Sequence, residues 1–327
     1  VKVLVTGGGG FVGRAIVRRL RECGHAARIF GRTARPRLAS GGVEVVRGDV
    51  ADAGAVRLAC QGVDAVVHAA ARVGIWGPRE AYEHTNVRGT EAVLDVARAE
   101  GVRAFVYTSS PAVIFGRRAI EGGDESLPYP PRHLCDYART KAAAERAVLD
   151  ASDGGFRTAA LRPHLIWGPG DRSLLPRILH RAQTGRLVRI GDGSNLVSLS
   201  YIDNVADAHV RACERLAEDG APAGRAYFIA EPEPVNCWDF VDRLLGGLGA
   251  PRVRHHISLR AAYALGAVYE AAYTVLRLQA EPPLTRFLAL QLGRSHWFRV
   301  DRAVADLDWR PRVGMEEGLK RLFANWP

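Results

Sequence analysis

Short β-branched runs alternate with amphipathic stretches through the first half of the chain. Val1 to Val5, Ala26 to Phe30, Val43 to Val46, Ala65 to His68, Ala104 to Tyr107 and Ala159 to Ile166 read as strands. Between them, segments such as Gly13 to Cys23 and Ala81 to Glu100 set apolar residues at helical spacing against Arg and Glu. Strands joined by helices pair in parallel, and right-handed crossovers then give an α/β fold with a doubly wound parallel sheet.

After Trp167-Gly168-Pro169-Gly170 the alternation loosens, and Pro, Gly and aromatic residues become frequent. The expected division is a nucleotide-binding domain over 1–168 and a smaller, discontinuous substrate lobe made mainly of 169–327. A strand near Leu196 to Tyr201, a helix near Val205 to Leu216 and a strand Ala226 to Ile229 are expected to return to the first lobe. Ile257 to Leu278 is the most apolar stretch of the second lobe. Two readings stay open for it: a buried helix of that lobe, or a lid or interfacial helix that handles a lipid-like substrate.

Composition narrows the setting. With 327 residues and 47% hydrophobic positions, the chain can build a packed core, which excludes disorder and fibrous repeats. The net charge of +10 comes from Arg scattered along the chain, with only three Lys (Lys2, Lys141 and Lys320). No basic block interleaved with aromatics appears, so no nucleic-acid partner is expected. The charge leaves room for peripheral contact with an anionic membrane. Cys23, Cys60, Cys135, Cys213 and Cys237 are odd in number and widely spaced, which suits reduced thiols in a cytoplasmic protein. The first strand begins at once, so no secretion signal is expected, and no window is apolar enough to span a membrane.

Directly after the first strand, Thr6-Gly7-Gly8-Gly9-Gly10-Phe11-Val12-Gly13 contains G-x-x-G-x-x-G and opens a helix. Gly7 permits the tight turn, Gly10 lets backbone approach a pyrophosphate, and Gly13 lets helix and strand pack closely, as in a Rossmann dinucleotide site. The second strand ends in Gly31-Arg32-Thr33 without the carboxylate that would accept both ribose hydroxyls. Arg32, with Arg35 nearby, would pair with a 2′-phosphate, so NADP(H) is expected over NAD(H). Asp49, in Gly48-Asp49-Val50, would accept from the adenine amino group or cap a helix.

Tyr137-Ala138-Arg139-Thr140-Lys141 is Y-x-x-x-K within a helical pattern that runs to Leu149. A spacing of four puts both side chains on one helical face, where an ammonium would lower the phenol pKa. In a chain with three Lys, this placement is hard to ascribe to chance. Thr108-Ser109-Ser110-Pro111 follows the fifth strand, at the carboxyl end of the sheet where open α/β folds bind ligands. A hydroxyl there would hold a reacting carbonyl oxygen.

Taken together, the chain resembles the extended short-chain dehydrogenases/reductases, in the branch containing the 3β-hydroxysteroid dehydrogenases. The residues that carry the resemblance are the Gly loop, Gly48-Asp49, His68-Ala69-Ala70-Ala71, Thr85-Asn86-Val87-Arg88-Gly89-Thr90, Tyr107-Thr108-Ser109-Ser110, Y-x-x-x-K, Leu161-Arg162-Pro163 and Trp167-Gly168-Pro169-Gly170-Asp171. Gly191-Asp192-Gly193-Ser194-Asn195, Tyr201-Ile202-Asp203-Asn204 and Glu281-Pro282-Pro283-Leu284-Thr285-Arg286-Phe287 are similar, more narrowly, to the bacterial 2-alkyl-3-oxoalkanoate reductases of long-chain olefin synthesis.

The resemblance implies that Tyr137 is the acid/base, Lys141 its partner and a nicotinamide-ribose contact, and Ser110 the carbonyl-binding hydroxyl, with Ser109 as fallback. It implies a cofactor set of Gly7, Gly10, Phe11, Val12, Gly13, Arg32, Asp49, Val50, Ala69, Ala70, Asn86, Tyr137, Lys141 and Pro163. Asn86 would brace the active-site strands and Pro163 would border the nicotinamide. Two positions depart from the pattern: Pro111 directly follows the Ser, and Gly31 stands where NAD-dependent steroid enzymes tend to carry Asp.

The expected activity is NADP(H)-dependent reduction of a keto group on an apolar, lipid-like or polyketide-like substrate, without a metal, and the sequence leaves room for a homodimer. Arg72, His164 or Arg294 would hold a substrate carboxylate, and Tyr263, Leu265, Val268 and Tyr269 would line an acyl channel. The rivals are a sterol dehydrogenase, a nucleotide-sugar epimerase or dehydratase, and a dinucleotide-sensing regulator without turnover.

Overall fold

A computed structural model describes residues 1–33 and 42–326. Its largest element is a seven-stranded, all-parallel sheet. In spatial order its strands are Arg225–Ile229, Arg157–Pro163, Ala104–Thr108, Ala65–His68, Lys2–Thr6, Ala26–Gly31 and Glu44–Arg47. Helices cover both faces, which is why central strands such as Val3 to Val5 and Val66 to Val67 are apolar without alternation. Helices Phe11–Glu22 and Ile202–Glu218 pack together over one face. Ala53–Cys60, Gly89–Ala99 and Asp136–Asp150 lie over the other, through Val56, Val93 and Val148. Glu44–Arg47 lies at one edge of the sheet, and none of its residues is buried.

The helical pattern over 81–100 is interrupted. Arg79–Tyr82 runs into a π-helical stretch, Glu83–Arg88, before Gly89–Ala99 resumes. Such bulges recur at functional positions, and this one carries Asn86.

The second lobe is built around a four-stranded sheet of Val235–Asn236, Leu196–Val197, His296–Phe298 and Ile120–Gly123. The expected strand near Leu196 to Tyr201 therefore divides. Leu196–Val197 stays in this sheet, and Ser200–Tyr201 pairs with Ile166–Trp167. The helix and strand after it do reach the large sheet, where Arg225–Ile229 pairs with Arg157–Pro163. Ile120–Gly123 crosses the other way: the chain leaves the large sheet after Thr108, contributes a strand to the small one, and returns at Asp136.

The apolar stretch near the end forms helix Leu259–Val275, and the reading of it as buried core is wrong. Only Ala262 and Gly266 are buried along it, because the helix lies on the outside of the lobe and packs chiefly on helix Arg286–Gly293. All five cysteines are free thiols. Among the described residues, no helix is long and apolar enough to cross a membrane.

Candidate active site

At the carboxyl ends of the large sheet lies a cleft of about 690 Å³. One wall is the Gly loop. Gly7 has φ +67°, and a Cβ added to it would lie 2.8 Å from the Ala70 backbone. A Cβ on Gly13 would lie 2.3 Å from the Gly7 carbonyl oxygen. Side chains are thus excluded by the backbone at Ala69 and Ala70 and by the Gly loop itself, and Gly10 stands as the N-cap of Phe11–Glu22 with no side chain over the free N–H groups. That is the backbone surface a pyrophosphate needs.

Phe11, Val12, Arg32, Asp49, Val50, Ala69, Ala70 and Pro163 all line the same cleft. Arg32 is exposed at its mouth. Beside it, a Cβ added to Gly31 would meet nothing within 4 Å, so the end of the second strand opens onto free space. Arg35 lies outside the described residues. For Asp49, the helix-cap alternative falls away because Asp52 caps Ala53–Cys60, accepting from the Gly54 and Ala55 N–H groups. Asp49 instead accepts from Ala51 N at 3.0 Å within its own turn.

Tyr137, Lys141, Ser109 and Ser110 line the inner end of the cleft. Tyr137 and Lys141 share one face of Asp136–Asp150, as the spacing predicts. Ser110 caps a short 3-10 turn, Pro111–Val113, its Oγ accepting from Ala112 N at 3.2 Å. Pro111 occupies the first position of that turn, where a missing N–H is harmless, so the departure from the family pattern leaves Ser110 in place. Ser110 lies beside the Tyr137 phenol, close enough to favour its ionised form. Ser109 is turned inward, its Oγ buried without a partner.

The expected lowering of the phenol by Lys141 is not found. Burial pushes the Tyr137 phenol up to about 12, with the Ser110 hydroxyl offsetting part of the rise. Lys141 is only 2% exposed, and its Nζ donates to Thr108 O at 2.5 Å and sits 4.0 Å above the Tyr107 ring. Burial lowers the ammonium itself to about 7, opposed by the charge of Glu145. Desolvation is the largest influence on both groups, and Lys141 is not among the influences on the phenol.

Asn86 is set back from the cleft wall. Its Oδ1 accepts from Arg72 N at 2.7 Å, and its Nδ2 donates to Arg72 O and to Thr140 Oγ1, each at 3.1 Å. It ties the loop after Ala65–His68 to the helix bearing Tyr137 and Lys141. His68 is buried between Thr6 Oγ1 at 2.8 Å and Thr90 Oγ1 at 3.0 Å, and burial holds it neutral, with a pKa lowered to about 3.

His164 does not serve as a carboxylate-binding cation. It is buried, its Nε2 lies 2.6 Å from His296 Nδ1, and burial with that neighbour holds it well below its ordinary value. Arg72 lies over the Tyr82 ring, 5.2 Å from its centroid, and Arg294 has a buried Nε without a partner.

Around Tyr137 the surroundings are apolar: Ala112, Phe115, Ala138, Phe287 and Leu290, with Ile75, Leu134 and Tyr263 against them. Of the four residues expected to line an acyl channel, Tyr263 joins this cluster. Leu265 and Val268 point outward, at 39% and 63% exposure, and Tyr269 packs edge-on to Tyr273.

The wall facing the Gly loop was not anticipated. Leu165, Ile166, Asp171, Arg172, Ser173 and Leu174 form it. Asp171 shapes the bend, its carboxylate accepting from Ser173 N, Leu174 N and Leu175 N. Leu165 adopts φ +44°, a costly conformation for a branched residue, two positions after Pro163. The Gly168-Pro169-Gly170-Asp171 turn was the available signal, but nothing local says that it folds back toward residues 7–14.

Comparison with known proteins places this geometry. Residues 4–260 match the 3-beta hydroxysteroid dehydrogenase/isomerase family. The chain is 49% identical to a 2-alkyl-3-oxoalkanoate reductase of Stenotrophomonas maltophilia, with 99% of each chain covered. It is 42% identical to a protein of the same description from Shewanella oneidensis, over 98% of this chain and 85% of that one. In fold it is similar to a Thermus thermophilus UDP-glucose 4-epimerase solved with NAD, at TM-score 0.74 and 22% identity, covering 99% of this chain and 98% of that one.

Proposed function

The chain belongs to the 3-beta hydroxysteroid dehydrogenase/isomerase family, and on that premise we propose that it is an NADP(H)-dependent reductase that converts a 2-alkyl-3-oxoalkanoic acid to the 3-hydroxy acid. The observation that carries this reading is the junction at Tyr137. A phenol with the Ser110 hydroxyl beside it faces the dinucleotide cleft, while apolar side chains close in around it. An alkyl-bearing ketone suits such surroundings, whereas a nucleotide sugar would leave its hydroxyls unpaired there. Reductases of the same description at 49% and 42% identity over nearly the whole chain support the substrate class.

The Gly loop would hold a nicotinamide dinucleotide, which when bound would supply the hydride for the carbonyl carbon. Ser110 Oγ and Tyr137 Oη donate hydrogen bonds to the carbonyl oxygen, and Tyr137 gives up its proton as negative charge develops there. Lys141 in its charged form stabilises the resulting phenolate and binds the nicotinamide ribose. Thr108 O holds it in position. Asn86 acts indirectly, through the loop at Arg72 and through Thr140. Selection of NADP(H) rests on Arg32 with the open space at Gly31, where a phosphate has room and no carboxylate repels it. Five free thiols suit a reducing compartment, and we place the enzyme in the cytoplasm.

Oxidation of a sterol 3β-hydroxyl is the second reading, favoured by the family and compatible with the same apolar cluster. Assay of the purified protein separates the two. With NADPH and a 2-alkyl-3-oxo acid we expect turnover well above that for NADP⁺ with a 3β-hydroxysterol, and none with UDP-glucose. A reversed order would overturn the proposal.

A further inference from the structure

Helix Leu259–Val275 is apolar on its outside. Ala264, Leu265, Val268, Ala271, Ala272 and Val275 are exposed on one arc, and Leu276 and Leu278 continue the surface past the helix end. Of the eight large hydrophobic residues exposed in the described chain, five lie between 265 and 278; the others are Val1, Leu58 and Val73. Scattered exposed Leu or Val needs no explanation, but this concentration does.

The orientation of the helix is locked. A Cβ on Gly266 would lie 2.7 Å from the Thr285 carbonyl carbon, so backbones touch along the inner side. The helix's one carboxylate, Glu270, also faces inward and accepts from Arg286 N at 2.7 Å and Arg286 Nε at 2.6 Å. Rotation to bury the apolar arc would break both contacts and expose Glu270 in exchange.

We infer that this arc docks on the surface of an anionic lipid bilayer. Arg260, near the start of the helix, and Arg277, just beyond its end, are exposed and have no carboxylate partner among the described residues. Glu281, the nearest acid along the chain, is engaged by Arg177. An apolar stripe with unpaired cations at each end suits acyl chains beneath negatively charged headgroups. A second copy suits it poorly: antiparallel pairing sets Arg260 against Arg277, and parallel pairing sets each against itself. The inner side of the helix carries Tyr263 into the cluster around Tyr137, so a docked molecule holds its apolar site next to the bilayer. The benefit to catalysis rests on the alkyl substrate proposed above; the docking itself does not.

Vesicle flotation tests this directly, using phosphatidylglycerol mixed with phosphatidylcholine against phosphatidylcholine alone. The protein should associate with the anionic vesicles at least about tenfold more strongly, and salt should weaken the association. A Val268→Glu/Val275→Glu variant alters residues that are 63% and 80% exposed, so folding should survive. It should lose binding by about tenfold or more while turning over a short, water-soluble 3-oxo acid as before. Equal flotation of parent and variant, or none with either vesicle, overturns the inference. So does a dimer in solution that the variant splits without any lipid binding, which would make the arc an interface between copies. Absence of reduction with every 3-oxo acid would count against the proposed activity alone, since flotation requires no substrate.

Discussion

Glu145 and Arg162 meet through two hydrogen bonds of 2.6 and 3.0 Å in the interior, at 0% and 3% side-chain exposure. Glu145 lies one helical turn beyond Lys141, and Arg162 immediately precedes Pro163 at the cleft wall. The pair rivets the helix bearing Tyr137 to the strand that ends at the cleft wall. Glu145→Gln leaves a buried guanidinium facing a neutral amide and should cost about 3 kcal/mol of stability, the low end for breaking a buried pair. Urea denaturation reads this, and a loss under ~1 kcal/mol would mean that water reaches the pair.

Replacing Tyr137 by Phe keeps the ring within its apolar cluster and removes the proton. Steady-state rates should fall by at least ~10²-fold in kcat, with little change in nucleotide affinity. Turnover close to the parent's would exclude Tyr137 as proton donor.

Arg32→Ala tests nucleotide choice. Fluorescence titration should show weaker NADPH binding, by about tenfold, with NADH little affected, because only NADPH carries the 2′-phosphate. A parallel loss for both nucleotides would assign Arg32 a general electrostatic role.

Lys141 makes stability depend on pH with a defined sign. Burial lowers its pKa from 10.5 to about 7, so between those values the unfolded chain binds more protons than the folded one. Stability without added nucleotide should therefore rise with pH through that window, by up to about 1.4 kcal/mol per unit from this group. Lys141→Met removes the contribution. Parent and variant unfolding free energies measured at pH 7 and pH 9 should diverge, and parallel profiles would contradict the lowered ammonium.

Much of the cleft was legible because its chemistry is local. Gly7, Gly10 and Gly13 act over one turn of backbone, and Tyr137 with Lys141 over one turn of helix. The facing wall at Asp171 to Leu174 depends on how two distant turns meet, which no local pattern encodes. Tyr137 shows a different limit. Spacing puts the ammonium on the same helical face as the phenol, but the direction of the phenol's pKa shift follows from burial, and Nζ donates instead to Thr108 O. The helix at 259–275 shows a third: an apolar arc is visible in the sequence, whereas which side faces water depends on Gly266 against Thr285 and Glu270 against Arg286.

The strand Ile120–Gly123 bears on how this enzyme can be re-engineered. It is sewn into the small sheet beside His296–Phe298, although its neighbours in the chain, Ser110 and Tyr137, line the dinucleotide cleft. A chimera that takes everything after residue 168 from a relative with another substrate would pair a foreign strand with this one and mismatch the sheet beneath the new pocket. Exchange of substrate preference between relatives therefore calls for two grafts made together, the loop from Pro111 to Cys135 and the lobe from Pro169 onward.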